Sequence, residues 1–291
     1  MNKSQHPSTQ NVTKVGFLNR ITAKILFRSV IFLLHHIYKQ SDENKFSATK
    51  HKRMINLSKT AAKLFNAITF FVDDRTRFNY SVEAKYESCK ILIRPFVFSE
   101  IIMVSGLWET YVRRFLFENI HKGDVIVDVG ANIGIYAIPL SRKVRKVIAF
   151  EPNPICYNML RNSTHLNQID NLTIFENAVS ESRKTISYTM AKVPMNSSVT
   201  DSNNGHIMKI DSVDLDTFLQ NEDRMDWLLI DVEGYELNVL KGASKILYKY
   251  APKIIVEIID ENVAEAREFL VQHGYRVTNL GTIYYYAAKP E

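Results

Sequence analysis

Cysteine is scarce in this chain: Cys89 and Cys156 are the only two among 291 residues. Neither lies in a CxxC pair or at a Cys/His ligand spacing, which argues against a zinc or iron–sulfur site. They read as free thiols of a reducing, cytoplasmic compartment. A long apolar run is also missing. A membrane-spanning helix needs about 20 mostly apolar residues, whereas the charge-free run from Ser29 to Tyr38 is much shorter and contains His35 and His36. Polar residues precede that run and no small-residue cleavage site follows it, so it does not read as a signal peptide. Acids are nearly absent from residues 1–64, which carry 12 Lys/Arg against Asp42 and Glu43 alone. The remainder carries 25 Lys/Arg against 29 Asp/Glu, so the basic character of the chain belongs to its N-terminal extension.

What is present divides the chain into a basic, mainly helical extension over residues 1–84 and a domain over 85–291. Apolar residues make up 46 % of the whole, enough for a full core. Residues 17–38, "FLNRITAKILFRSVIFLLHHIY", place Leu18, Ile21, Ile25, Val30, Leu33 and Ile37 at helical spacing, interrupted by Arg20, Lys24 and Arg28. That mixture suits an amphipathic helix lying on an anionic membrane, or a helix packed on its own domain or a second subunit. The basic residues are not interleaved with an RNA-binding module, which argues against nucleic acid as partner. Residues 39–53 read as a polar linker and 54–72 as a further helix.

From about residue 85 the pattern changes. "KILIRPFVF" has strand composition broken by Pro95, and residues 106–120 read as an amphipathic helix. Short apolar runs then recur at Val125–Val129, Val147–Phe150, Leu172–Phe175, Trp227–Ile230 and Ile254–Ile259. Runs of that length suit strands buried on both faces of a parallel sheet. Helical segments lie between or after them, at about Ile133–Arg142, Pro154–Asn167, Leu237–Tyr248 and Asn262–His273. The alternation is that of a doubly wound α/β fold. At the end, "YRVTNL" and "TIYYYAAK" read as a hairpin that adds an antiparallel strand. Residues 183–211 interrupt the alternation with two short strands and a polar loop, near the carboxyl edge where ligands bind.

The stretch "VIVDVGANIGIY", Val125 to Tyr136, is a strand followed by a glycine turn. A dinucleotide site needs G-x-G-x-x-G, because the second glycine lets pyrophosphate approach the backbone. Here Asn132 stands in that position, which disfavours pyrophosphate and leaves room for an adenosyl ligand without phosphate, such as S-adenosylmethionine. Gly130 then gives room for the ligand, Gly134 lets the helix pack on the strand, and Asp128 points toward the ammonium end. Glu151, 23 positions after Asp128 in "VIAFEPNP", suits both ribose hydroxyls. "VDVGANIG", "AFEPNP", "LLIDVEGYELNVLKGA" and "PKIIVEI" together resemble the FkbM-type S-adenosylmethionine-dependent methyltransferases, over roughly residues 85–288. The resemblance implies a class I methyltransferase, Rossmann-like sheet of seven strands with the last antiparallel, and O-methylation of sugar, polyketide or related hydroxyls.

The block Ile230–Glu236 supplies the chemistry. Asp231 and Glu233 are candidates to orient and deprotonate a substrate hydroxyl, whereas Glu236 reads as a first-turn helix acid. Glu257 offers a third carboxylate, and the acids could share a divalent cation, although no metal site is assigned. Asn177 and Ala178 are expected beside the adenine. His206, in the insertion, is a possible base because its ordinary pKa lies near neutrality. Trp108 and Glu109 could close over the cofactor. The expected activity is methylation of a hydroxyl on a sugar, glycan or glycolipid, with a small-molecule or lipid-linked acceptor. The competing readings are a nucleotide-dependent oxidoreductase and a non-enzymatic membrane- or RNA-tethered module that retains the cofactor pocket.

The amphipathic reading of residues 17–38 predicts association with anionic vesicles that weakens with salt and is lost on deleting residues 1–40, as measured by co-sedimentation. Binding that is absent or indifferent to salt would remove the membrane reading.

Overall fold

The structure is a computed structural model, and it describes residues 81–95, 97–106, 108–190, 206–259 and 262–290. The expected helices over 17–38 and 54–72 and the linker between them lie outside the described residues. Two compact units divide the rest. Residues 81–84 and the described part of 93–108 belong to the first, and residues 85–92 and 109–290 to the second.

Strand β1 (Val82–Tyr86) and strand β2 (Cys89–Ile93) are joined by Glu87 and Ser88, both left-handed in φ. β2 ends shortly before Pro95. A short helix that the sequence reading did not anticipate then follows, α1 (Phe98–Val104). Its Glu100 and Arg94 are 2 % and 1 % exposed and form an ion pair, with Arg94 Nε (at 2.7 Å) and Nη2 both donating to Glu100 Oε1. The Arg94 backbone N–H donates to Glu100 Oε2, so the carboxylate also closes the turn.

The second unit is built on a seven-stranded sheet. Its strands are β3 (Val125–Val129), β4 (Lys146–Phe150), β5 (Leu172–Phe175), β9 (Trp227–Ile230), β10 (Lys253–Glu257), β11 (Arg276–Gly281) and β12 (Tyr284–Ala288). Their order is β11-β12-β10-β9-β3-β4-β5, and β12 runs antiparallel to both neighbours. This is the doubly wound, Rossmann-like sheet of seven strands with the last antiparallel. β3, β9 and most of β4 are buried at every position, as their unbroken apolar sequences require. The chain leaves β3 toward β4 and β5, then returns to β9 on the other side and moves outward to β10. The connections therefore diverge between β3 and β9, which opens a crevice at their carboxyl ends.

Helices α2 (Thr110–Asn119), α3 (Ala137–Ser141), α4 (Pro154–Leu166), α5 (Leu215–Phe218), α6 (Glu236–Lys241), α7 (Ser244–Tyr250) and α8 (Val263–Gln272) accompany the sheet. Two of them start later than their apolar spacing predicts. Glu109 is left-handed at φ 46°, which delays α2 to Thr110. Gly130, Asn132 and Gly134 are all left-handed, which delays α3 to Ala137. The helix expected over Leu237–Tyr248 is broken in two. Gly242 lies so close to Ser180 that a Cβ would meet its carbonyl oxygen at 2.0 Å. The Asp216 carboxylate then starts a new helix by accepting the Lys245 and Ile246 N–H groups at 3.0 and 2.9 Å.

The interruption in the alternation becomes a three-stranded sheet beside the main one. It consists of β6 (Ala178–Val179), β7 (Lys184–Met190) and β8 (His206–Val213), with β7 and β8 antiparallel. No helix among the described residues is long and apolar enough to cross a membrane.

Removing one partner of a buried ion pair leaves the other uncompensated, which costs about 3–5 kcal/mol. Glu100→Ala is therefore expected to lower stability by about that amount in chemical denaturation, and a loss of under about 1 kcal/mol would show that the pair is not buried in solution.

Candidate active site

The turn after β3 is shaped by three left-handed residues. Gly130 (φ 88°) sits where a Cβ would lie 1.8 Å from the Asp231 carbonyl oxygen, so no other residue fits. Its N–H and that of Ala131 both donate to the Phe150 carbonyl, at 2.9 and 3.0 Å. Asn132 takes φ 51°, a conformation that asparagine tolerates better than most residues. At Gly134 a Cβ would meet Leu160 at 2.4 Å, which is the close packing of the turn on α4.

Glu151, directly after β4, ties this turn to the next. Its Oε2 accepts the Asn132 N–H at 2.7 Å and its Oε1 the Asn153 N–H at 2.8 Å. Asn153 in turn caps α4 through its side-chain oxygen. Each Glu151 oxygen keeps one lone pair for a further donor. Asp128, 4 % exposed within β3, is less well satisfied: its Oδ2 has no hydrogen-bond partner. Burial, with Asp231 and Glu151 nearby, pushes the Asp128 carboxyl up to about 7. Burial also outweighs the two backbone donors of Glu151 and brings it to about 7. Two acids this far above the ordinary carboxylate range make a pocket that favours a cation. Beyond β5, Asn177 donates from Nδ2 to the Asp211 carbonyl at 3.3 Å, Ala178 is buried at the start of β6, and Glu176 is exposed.

On the other side of the crevice, Asp231 follows β9 and is held by its own N–H to the Val129 carbonyl at 3.0 Å. Glu233 (φ 54°) and Gly234 (φ 98°) are left-handed in succession and turn the chain sharply into α6. A non-glycine residue in that region stores about 1–3 kcal/mol of strain, of the kind found at functional sites. Glu236 is fully buried at the start of α6, and its Oε1 accepts the Gly234 N–H at 2.6 Å. Sheet register brings in the next residues. Val256 pairs with Ile230, and Glu257 pairs with Tyr284, so Asp231, Glu257 and Tyr284 end up side by side along the carboxyl edge.

The oxygens of Asp231, Glu233 and Glu257 lie within 4.8 Å of one another, a spacing that admits a shared proton or a cation. Burial first, then the charges of Asp231, Glu236 and Glu109, push Glu233 up to about 8. Burial, the charge of Asp231 and a hydrogen bond with it push Glu257 well above the carboxylate range.

Three residues complete the site. Glu109 accepts the Tyr136 hydroxyl at 2.8 Å and the Tyr284 hydroxyl at 2.5 Å, one on each carboxylate oxygen. The Tyr284 oxygen also lies 3.4 Å from Asp231 Oδ2. The sequence reading named Glu109 only as a residue that could close over the cofactor, and it missed both tyrosines. Period-two alternation in "TIYYYAAK" marks Tyr284 and Tyr286 as one face, but nothing local marks that face as the site. His206 opens β8, and its side chain lies outside the described residues.

A family model described as the methyltransferase FkbM domain matches residues 128–277. Methyltransferase sdnD of Sordaria araneosa is 29% identical over 176 residues, covering 48% of this chain and 68% of that protein. Hexuronic acid methyltransferase AglP of Haloferax volcanii is 32% identical over 152 residues, covering 52% of this chain and 62% of that protein. The crystal structure of methyltransferase FkbM from Methylobacillus flagellatus superposes with a TM-score of 0.44 at 20% identity, over 58% of this chain and 44% of that one. The chain thus spans less than two thirds of AglP and less than half of the solved FkbM protein.

The raised pKa of Asp128 carries a sign that can be measured. If the ionised Asp128 carboxylate receives the ammonium of S-adenosylhomocysteine, affinity should rise with pH through about 7 and level off above it. Calorimetry is expected to show a gain of up to about tenfold from pH 6 to pH 8, flattened in Asp128→Asn. An affinity independent of pH in the unaltered protein would overturn this.

Proposed function

The chain belongs to the FkbM methyltransferase family, and on that basis we propose that it is an S-adenosylmethionine-dependent O-methyltransferase acting on a hydroxyl of a sugar, glycan or glycolipid. Family membership implies S-adenosylmethionine as the methyl donor. The residues present fit that molecule. The unpartnered Asp128 oxygen suits its ammonium group and the free lone pairs of Glu151 suit its ribose hydroxyls, whereas the space expected beside Gly130 for the ligand is taken by the Asp231 carbonyl. Asn177 and Ala178 stand one strand further on, where an adenine edge would be read.

When bound, the cofactor supplies an electrophilic methyl group on sulfur. The chain's own task is to align an acceptor oxygen and remove its proton, because an alcohol is a poor nucleophile until the proton leaves. The observation that carries this reading is the convergence of Asp231, Glu233 and Glu257 on one point beside the glycine turn. Carboxylates accept hydrogen bonds from neighbouring hydroxyls in pairs, the pattern a sugar ring presents. Asp231, closest to the turn after β3, takes the hydroxyl proton as base. Glu233 accepts from an adjacent hydroxyl and fixes the ring. Glu257, held protonated across the neutral range, donates to Asp231 and keeps it in place. AglP acts on a hexuronic acid by its name, and its similarity to this chain supports a sugar acceptor.

Incubation with methyl-labelled S-adenosylmethionine and a glycan and glycolipid extract should place label on oxygen, as read by mass spectrometry. Asp231→Asn should lower turnover by about a hundredfold or more, the size of a general-base contribution, while S-adenosylhomocysteine still binds. Tight binding of NADH without S-adenosylhomocysteine, or label found only on nitrogen, would sink the proposal.

A further inference from the structure

A base that takes a proton in a desolvated cluster of acids must also release it. Asp231 stands between Glu233 and Glu257, both already pushed by burial toward their protonated forms, so neither is a ready acceptor. The third neighbour of Asp231 is the Tyr284 hydroxyl. A phenol carries a single proton, and here it faces two carboxylates at unequal distances: Glu109 Oε1 at 2.5 Å and Asp231 Oδ2 at 3.4 Å. The proton lies in the shorter contact. Glu109 is held for that role, because its other oxygen accepts Tyr136 at 2.8 Å and its backbone is left-handed. With its proton toward Glu109, the Tyr284 oxygen is left with a lone pair that can accept from Asp231 once Asp231 carries a proton.

We propose that Tyr284 and Glu109 form a proton relay that empties Asp231 after each methyl transfer, an inference that rests on the reading of Asp231 as the base. As the acceptor oxygen gains its methyl group, its proton passes to Asp231. Protonated Asp231 is now a donor, and the oxygen placed to accept from it is that of Tyr284. The Asp231 O–H bond breaks as a new O–H bond forms on Tyr284. The original Tyr284 O–H bond breaks as one forms on Glu109. The net change is one proton moved from the substrate hydroxyl to Glu109, which is only half-buried and gives the proton to solvent before the next turnover, with Tyr284 neutral before and after and Asp231 again a carboxylate. The phenol need never ionise, which agrees with the strong upward push on Tyr284 by burial and the surrounding acids. Tyr284 and Glu109 act through Asp231 and are relay residues rather than the base itself. The connection is purely tertiary: Glu109 precedes α2, and Tyr284 opens β12 at the other end of the chain.

The test uses the full chain with bound S-adenosylhomocysteine and two independent readouts. The first needs no acceptor. The short Tyr284–Glu109 hydrogen bond should give a far-downfield proton resonance in NMR spectra, lost in Tyr284→Phe and in Glu109→Gln and retained in Asp231→Asn. Its absence from the folded, unaltered protein would overturn the relay. The second is steady-state kinetics on an acceptor that the unaltered protein methylates. Tyr284→Phe and Glu109→Gln should each lower kcat by about 10- to 100-fold, a fraction of a full general-base effect, and raise the solvent deuterium isotope effect on kcat. KM and S-adenosylhomocysteine affinity should stay within about twofold of the unaltered protein. A side chain that merely packs would shift thermal stability and leave the isotope effect alone. Unaltered kcat in a folded Tyr284→Phe variant, with the parent active, defeats the relay and spares the methyltransferase reading. An inactive parent that binds the cofactor product defeats that reading and the relay with it.

Discussion

The site depends on one contact between two backbones. The carboxyl ends of β3 and β9 come so close that the Asp231 carbonyl occupies the space of a side chain at residue 130. Glycine at that position is therefore required twice over, by the contact and by its positive φ. The Asp231 N–H bonded to Val129 fixes the same two strand ends from the other direction. Everything downstream inherits this registration. The turn over Asn132 and Gly134 opens on one side of the crevice, and the acids that follow β9 open on the other.

Around that contact the structure concentrates negative charge and withholds water from it. Asp128 and Glu151 on one side, and Glu233 and Glu257 on the other, all sit above the ordinary carboxylate range, with burial as the leading cause. Such an arrangement destabilises the empty fold and stores a preference for a positively charged ligand next to groups that hold protons. Under the proposed function, a sulfonium with an ammonium tail would answer the first half, and an alcohol that must lose a proton the second. Glu109, Asn132 and Glu233 have left-handed backbones as well, and each contacts this group of residues: Glu109 through Tyr284, Asn132 through Glu151 and Glu233 within the acid cluster.

Much of the fold could be read from local pattern. Five apolar runs became the five parallel strands β3, β4, β5, β9 and β10, three of them with identical boundaries and two shifted by a residue or two, because a strand buried on both faces has to be apolar throughout. The terminal hairpin was legible from its turn and its aromatic alternation. Helix boundaries were less so. Apolar spacing cannot see that Glu109 and Asn132 adopt left-handed φ, nor that Gly242 is pressed against Ser180 and divides a helix in two. α1 escaped notice because seven residues after a proline carry too little periodicity to stand out.

The sequence by itself determined the glycine turn, the acid after the second strand and the Asp231–Glu236 block, since each is a local arrangement whose spacing along the chain is its spacing in space. Only the tertiary structure decided that Glu257 would stand against Asp231, because strand register sets that pairing. The same holds for Tyr284, Tyr136 and Glu109, which meet across 175 positions of chain at most. No local pattern encodes such a meeting: which hydroxyl finds which carboxylate follows from how the sheet edge closes over the helix that precedes it.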